Sequence, residues 1–265
     1  MTLFNIAMLL GASFLGGMIN SIAGGGTLVT FPVLLAAGLD ARIANATSTV
    51  ALFPGSASAM FGFRRELAGS RAYLIRLGIT SIFGGALGAS LLLLTPSETF
   101  DRLVPFLILF ATLLFAAGET ISRKLGLRPR GNDTTGAVAN VEPRTSWWVG
   151  AIIVQLLSAT YGGYFGAGNG ILMLASLGLL GVSDIHRANG IKNFLAVCIN
   201  AAAVTLFIFG GLVEWKLALL MAVGAIAGGY YGAGLAKKLG RGFVRWAVIT
   251  IGLVIGLMML WRLRG

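Results

Sequence analysis

The sequence predicts an all-α polytopic membrane protein made of two homologous halves. Of its 265 residues, 57% are hydrophobic and only 11% are charged, whereas about a quarter of the residues in a soluble domain are charged. The apolar residues form long blocks, and a helix needs about 20 mainly apolar residues to cross a bilayer core. Blocks of this kind lie at 43–63, 77–94, 103–121, 147–165, 194–213, 217–236 and 246–261.

Several short motifs of the first half recur in the second half, in the same order and at an offset of about 143 residues. The pairs are GLDARIAN (38–45) with GVSDIHRAN (181–189), GGALGA (84–89) with GGYYGA (228–233), FDR (100–102) with FVR (243–245), and AGGGTLV (23–29) with GAGNGIL (166–172). This order predicts an internal duplication. We expect one membrane repeat at 1–121, a cytoplasmic linker at 122–146 and a second membrane repeat at 147–265.

The charge distribution indicates which partners to expect. The net charge is +11, but the Lys and Arg residues stand in short clusters between apolar blocks, which is typical of loops beside anionic lipid rather than of nucleic-acid binding. Most of the 20 basic residues lie on the cytoplasmic side if the loops there are 64–76, 122–146, 187–192 and 237–245. That arrangement needs an odd number of net crossings in each half, so it favours inverted repeats.

The first half begins with a helical hairpin interrupted by three glycines. Residues 27–38 are too short to span a bilayer, so they are expected to form the returning arm, followed by three full crossings. Gly24, Gly25 and Gly26 permit the turn and the close approach of a ligand to backbone amides. A helix beginning near Thr27 would direct its positive N-terminal end at the turn, where a small anion is favoured. The alternative is that these glycines only allow close helix packing, as expected for Gly84/Gly88 and Gly228/Gly232.

The second break, formed by Gly166, Gly168, Asn169 and Gly170, is the counterpart of the first. If the repeats are inverted, the two hairpin tips meet from opposite sides and form one site near the membrane midplane. Polar residues also follow each hairpin, at the start of the next apolar helix. The predicted substrate-binding residues are Asn20, Gly24, Gly25, Gly26, Thr27, Asn45, Thr47, Ser48, Gly168, Asn169, Gly170, Asn189, Lys192 and Asn193.

Two ionisable residues of the second half, Lys192 and His186, could each have a role in transport. Lys192 could offset the charge of an anionic substrate, because charge inside a membrane is costly and usually functional. The alternative places Lys192 at a helix end, where its side chain reaches the lipid headgroups. His186, on the loop entering that helix, could relay a proton, since imidazole titrates near neutrality; the alternative is a solvated loop histidine.

Catalytic patterns are few. The sequence has no Cys/His cluster with metal-ligand spacing and no phosphate-loop lysine motif, so no metal or cofactor is expected. The alternative to a carrier is an intramembrane serine hydrolase, which would use Ser48 or Ser56 with His186. Replacing His186 separates the two, because a hydrolase would lose all activity.

The two glycine-containing regions resemble the signature regions of the TauE/SafE sulfite-exporter family, also called the toluene-sulfonate uptake permeases. The segments that carry the resemblance are GGMINSIAGGGTLVTFPVLLAAGLDARIANATS and GGYFGAGNGILMLASLGLLGVSDIHRANGIKNFLA. The resemblance implies a carrier of the bacterial inner membrane that moves sulfite, sulfonates or similar small anions, with no enzymatic activity. It leaves open the substrate, the direction, the coupling ion, the even or odd number of crossings in each half, and the oligomeric state, a homo-oligomer included.

Overall fold

The computed structural model describes residues 3–22, 24–124, 145–239 and 241–262. These residues form ten α-helices and one short 3₁₀ helix at Arg64–Leu67. The helices of the first half are α1 (Leu3–Ile22), α2 (Thr27–Ala36), α3 (Ala41–Gly62), α4 (Arg71–Leu94) and α5 (Ser97–Lys124). Those of the second half are α6 (Thr145–Tyr164), α7 (Asn169–Leu179), α8 (Ile185–Phe209), α9 (Trp215–Leu239) and α10 (Arg241–Arg262). The all-α class is confirmed. Residues 125–144, most of the predicted linker, lie outside the described residues.

Each half begins with a long helix that turns sharply into a short one. The short helices α2 and α7 have 10 and 11 residues, and at about 1.5 Å per residue they cover roughly half of a bilayer core. Glycines with left-handed backbones make both turns: φ is 74° at Gly24, 78° at Gly166 and 72° at Gly168. Both glycine breaks therefore end a helix where the sequence predicts a hairpin.

The two halves are interlocked, because many helices pack on the other half of the chain. Helix α1 packs on α9, and at the equivalent position α6 packs on α4. Helix α3 contacts α9 as α8 contacts α4, and the pairs α3/α8 and α5/α10 join the halves directly. The pattern is unchanged when the halves are exchanged, as an internal duplication requires.

Glycines allow the interlocked helices to touch through their backbones. A Cβ on Gly232 of α9 would lie 2.9 Å from Cα of Met18 in α1. A Cβ on Gly88 of α4 would lie 2.7 Å from the backbone nitrogen of Tyr164 in α6. Real side chains do not fit such spaces, so these glycines serve the close packing that their spacing predicts.

The outer surface is strongly apolar. Phe83, Leu94, Phe209 and Trp261 each expose 70% or more of their area, which in water would be unfavourable. Among the described residues, four helices are long and apolar enough to cross a bilayer: Phe4–Ile22, Arg71–Leu94, Ser97–Gly118 and Ile185–Phe209. An outer surface covered by large apolar side chains, together with several long apolar helices, is that of a multi-pass membrane protein.

Three predicted cytoplasmic loops contain helix: α4 begins at Arg71, within 64–76, and the described residues of 237–245 belong to α9 and α10. The third is 187–192, which was predicted to precede an apolar block starting at 194, but α8 begins at Ile185. The Asp184 carboxylate accepts a hydrogen bond from the backbone N–H of His186 (2.9 Å) and so caps the helix. His186 is therefore in the first turn of α8 rather than on a loop. The hydropathy pattern did not predict the first turns of α8 as helix, because their residues are polar.

Candidate functional site

The tips of the two hairpins touch in the interior of the protein. A Cβ on Gly24 would lie 2.6 Å from the backbone nitrogen of Gly170, so the first tip contacts the first turn of α7 with no side chain between them. The meeting of the two glycine breaks, expected from the sequence, is present. It requires glycine at position 24 both for this contact and for its left-handed φ of 74°.

The short helices begin at these tips without side-chain caps. Gly26 precedes α2 and Gly168 precedes α7, and neither position supplies a capping hydrogen bond. The helices α3 and α8, in contrast, are capped by the carboxylates of Asp40 and Asp184. At α2 and α7, backbone carbonyl groups accept from some of the first N–H groups instead: Leu28 donates to Gly25 and Ile171 donates to Gly168, both at 3.1 Å. Each N-terminus still presents the positive end of its helix dipole to its surroundings.

A polar cavity lies beside the touching tips. It has a volume of about 30 Å³, room for about two water molecules. Its wall is contributed by both hairpins and by α3 and α8. The lining residues are Asn20, Gly24, Thr27, Thr49, Leu52, Gly162, Gly166, Asn169, Gly170, Met173, Lys192, Ala196, Ile199 and Asn200.

Lys192 is the one basic residue among the described residues that line this cavity. Only 1% of the residue is exposed, so the side chain does not reach toward lipid headgroups. Its ammonium donates to the carbonyl oxygens of Asn20 (3.3 Å) and Ser21 (3.1 Å), at the end of α1. Asn193 donates to the same Ser21 oxygen (3.2 Å). No carboxylate lies within ion-pair distance of Lys192 in the part of the chain that the structure describes.

Asparagine side chains around the cavity are held in defined orientations. The hydroxyl of Ser158 donates to Oδ1 of Asn169 (2.5 Å), which leaves the Asn169 amide N–H groups for the cavity. Asn20 and Asn200 both donate to the hydroxyl oxygen of Ser56, at 2.8 and 3.5 Å. The cavity therefore combines one ammonium group with oriented neutral amides.

Several predicted site residues lie outside the cavity wall. Gly25 packs against the ring of Phe115, and Gly26 packs against the backbone of Gly16. Gly168 lies close to the backbone of Ala111. At these positions the observed contacts are those of close packing.

The predicted residues of α3 form hydrogen bonds that join elements around the cavity. Asn45 donates to the carbonyl oxygen of Tyr164 (2.9 Å), at the end of α6. Thr47 accepts from the backbone N–H of Glu214 (3.0 Å). The Ser48 hydroxyl is 2.6 Å from that of Thr30 in α2.

On α8, Asn189 and His186 stand apart from the cavity lining. The Oδ1 atom of Asn189 is buried without a hydrogen-bond partner among the described residues, and the residue is partly exposed. His186 is partly buried in the first turn of the helix. Neither one is among the residues of the cavity wall.

Several residues of the wall were not among the predicted substrate-binding residues. Thr49, Gly162 and Gly166 line the cavity, as do apolar residues such as Leu52 and Met173. The sequence did indicate two of them, because Thr49 is one of the polar residues after the first hairpin and Gly166 belongs to the second glycine break. Leu52 and Met173 could not be predicted as cavity residues, because the sequence does not show which apolar residues of an apolar helix face a cavity.

The hydrolase alternative has little support in this geometry. The hydroxyl of Ser48 is bonded to Thr30, and that of Ser56 donates to the Leu52 carbonyl while accepting from Asn20. Neither hydroxyl is hydrogen-bonded to His186. In the described ranges, no three His, Cys, Asp or Glu side chains come together as metal ligands.

These features define a class of protein. Half-length helices that meet inside a helical membrane protein, beside a buried lysine and a polar cavity, are features found in membrane carriers. The chain belongs to the Sulfite exporter TauE/SafE family, whose sequence model matches residues 9–259. This family membership makes it a membrane transporter of the TauE/SafE type.

Curated relatives agree with this assignment. The chain is 30% identical over 251 residues to a probable membrane transporter protein of Haemophilus influenzae, covering 94% of this chain and 92% of that protein. It is 27% identical over 255 residues to the probable membrane transporter protein ORF9 of a Sinorhizobium species, covering 96% and 92%. It is 29% identical over 264 residues to the probable membrane transporter protein YfcA of Escherichia coli, covering 97% and 92%. No solved structure matches the chain.

Proposed function

We propose that this protein is a secondary transporter of small sulfur-containing oxyanions, such as sulfite or organosulfonates, and that it exports them from the cytoplasm across the inner membrane. The observation that carries the proposal is the buried ammonium of Lys192 at the cavity where the hairpin tips meet. The solute would contact Lys192, Asn169, Thr27 and the backbone of the tips. The other predicted site residues would hold this arrangement in place.

The electrostatics of the cavity favour an anion. A charge buried without a partner is costly, and an opposite charge nearby offsets that cost. The carbonyl oxygens of Asn20 and Ser21 accept hydrogen bonds from Lys192, but they carry no net charge. A bound oxyanion would supply the missing negative charge, and the uncapped ends of α2 and α7 would add their dipoles.

The interlocked pairing of the helices supports alternating access. We propose that the repeats, at 1–121 and 147–265, are inverted, each with a re-entrant hairpin and three crossings, and that 122–146 is a cytoplasmic linker. Inverted halves can exchange conformations around a central site, which exposes the solute first to one side and then to the other. The cavity of about 30 Å³ holds only about two waters, so a larger solute enters when the walls move apart.

The direction follows from the charge of the solute. An inside-negative potential favours outward movement of an anion by roughly 2.3 kcal/mol per charge per 100 mV. Export therefore needs no coupled proton, whereas uptake would. No proton relay through His186 is then required.

Flux measurements in proteoliposomes test the proposal. Vesicles containing the purified protein are loaded with radiolabelled sulfite, and its efflux is followed with an imposed membrane potential. We expect efflux from wild-type vesicles and from vesicles carrying Lys216→Met, since Lys216 is an exposed lysine at the start of α9. Lys192→Met should reduce efflux to the level of empty vesicles. Equal rates for Lys192→Met and the wild type would exclude the proposed site.

A further inference from the structure

The cavity has a single charged group. Of the described residues that line it, Lys192 is the only ionisable one, and the remaining polar side chains are those of asparagine and threonine. The wall can therefore neutralise one negative charge. A second negative charge would meet only dipoles, which compensate a buried charge less completely than an ammonium does.

The internal duplication gives Lys192 a counterpart in the first half, and this counterpart carries no ammonium group. Asn200 donates to Ser56, its counterpart 144 residues earlier, and at the same offset the counterpart of Lys192 is Ser48. Ser48 is fully buried and bonded to Thr30. Hence the site is duplicated in its backbone, but only one half carries a cation.

Some of the hydrogen-bond donors of the Lys192 ammonium already have partners. An ammonium group has three N–H donors, and two of them are directed at the carbonyl oxygens of Asn20 and Ser21. One donor remains for a solute. A neutral donor, the amide nitrogen of Asn169, is available because Ser158 holds the oxygen of that side chain.

Other groups of the wall present acceptors. Thr49 donates its hydroxyl proton to the carbonyl oxygen of Asn45 (2.9 Å), so its oxygen offers lone pairs to the cavity. Asn20 uses its amide nitrogen on Ser56, which leaves its oxygen as an acceptor. Sulfate and alkylsulfonates have no O–H to donate to these groups, and unpaired polar groups inside a protein are unfavourable. Hydrogensulfite can donate one O–H, while an alkylsulfonate can place its carbon atoms against Leu52 or Met173.

We infer that this site, if it binds oxyanions as proposed above, selects singly charged ones over doubly charged ones. Hydrogensulfite and small alkylsulfonates belong to the preferred class, and sulfate belongs to the rejected class. The specificity-determining features are the lone ammonium of Lys192 and the absence of a second one at Ser48.

Methanesulfonate and sulfate provide the test. Both are tetrahedral and similar in size, one carries a single charge and the other two, and neither titrates near neutral pH. Binding of each to the purified full-length protein in detergent is measured by isothermal titration calorimetry at constant ionic strength. We expect methanesulfonate to bind at least about tenfold more tightly, a difference of about 1.4 kcal/mol.

A charge-addition variant sharpens the test. Asn200 lines the cavity and is only partly buried, so Asn200→Lys adds a second ammonium without replacing a fully buried residue. The preference for methanesulfonate should shrink or reverse in this variant. Asn200→Met is the matched control, because it has a similar length without the charge and should keep the wild-type preference. Monodisperse gel filtration and helical circular dichroism confirm that each variant is folded.

The outcomes separate this inference from the proposed function. If wild-type protein binds sulfate as tightly as methanesulfonate, or more tightly, the charge selectivity is wrong while the oxyanion carrier stands. If it binds none of the three anions methanesulfonate, sulfite and sulfate, both proposals fail. Should Asn200→Lys not fold, the wild-type ratio of the two dissociation constants decides the matter alone.

Discussion

The two hairpins have the same architecture and different chemistry. In each half a long helix turns through left-handed glycine into a half-length helix that lacks a side-chain cap. At the end of the long helix of each hairpin, backbone carbonyl oxygens accept hydrogen bonds from a helix of the other half. Asn45 donates to the Tyr164 oxygen, whereas Lys192 donates to the oxygen of Ser21, the counterpart of Tyr164 in the pairing of the two glycine breaks. One contact is neutral and the other is charged.

The two hairpins thus differ in their side chains while they share a backbone turn. The backbone geometry must be preserved in both halves, because each half packs on the other and a change in one would disturb both. A side chain facing the shared cavity is less constrained. The second half carries Lys192 where the first half carries Ser48; Lys192 lines the cavity, whereas the Ser48 hydroxyl is bonded to Thr30. The comparison makes four predictions.

The largest effect is expected at the charged member of this pair. Lys192→Met should lower the rate of sulfite efflux more than about a hundredfold, since truncating one member of a buried charged contact costs about 3–5 kcal/mol. Ser48→Ala, at the equivalent position, should retain most of the efflux. The measurement is initial flux in proteoliposomes at equal protein density. Comparable losses in the two variants would mean that the charge is not what distinguishes the halves.

The tip contact gives the second effect. Gly24→Ala places a side chain on a left-handed residue, which costs about 1–2 kcal/mol, and also pushes the tip away from Gly170. Gly181→Ala is the matched control, because Gly181 has the same φ of 74° but open space around it. Thermal unfolding in detergent should show a larger fall in melting temperature for Gly24→Ala. Equal falls would mean that the contact between the tips contributes nothing.

A third, smaller effect concerns the hydrogen bonds at the helix ends. Asn45→Ala removes the donor to the Tyr164 oxygen and should lower the free energy of unfolding by about 1–2 kcal/mol, the usual cost of an unpaired buried group. Asn193→Ala should cost less, because Lys192 still donates to the Ser21 oxygen. Thermal melts of the two variants check this order, and a reversal would contradict the assigned bonds.

The smallest effect is expected at His186. It lies in the first turn of α8, and its backbone is the partner of Asp184, so His186→Ala keeps the capping bond. Efflux should remain close to the wild-type rate at each pH. A loss of efflux with intact folding would instead support proton coupling through this residue.

The fold could be predicted from sequence to the extent that it depends on hydropathy and repetition. The apolar blocks located the long helices, and the glycine breaks located both hairpins. The start of α8 was missed because the turn that contains His186 and Arg187 is polar, and its helical state depends on the Asp184 cap. The interlocked pairing was not predicted, because it depends on which glycines face which helix, and that is a property of three-dimensional packing.

The candidate site was predictable in part. Gly24, Asn169 and Lys192 stood out because glycine breaks and charge are rare in apolar segments, and all three line the cavity. Gly25 stood out for the same reason, yet it packs on Phe115. A run of glycines does not reveal which of its members faces a cavity. That is set by the turn geometry.

An anomalous diffraction experiment tests the central claim most directly. Selenite is the selenium analogue of sulfite, and crystals of the protein with ordinary methionine, soaked in selenite, would locate it by the selenium signal. We predict a single strong peak between the two hairpin tips, with an oxyanion oxygen within hydrogen-bond distance of Lys192 Nζ. A peak elsewhere, with Lys192 still bonded only to the carbonyl oxygens of Asn20 and Ser21, would contradict the account.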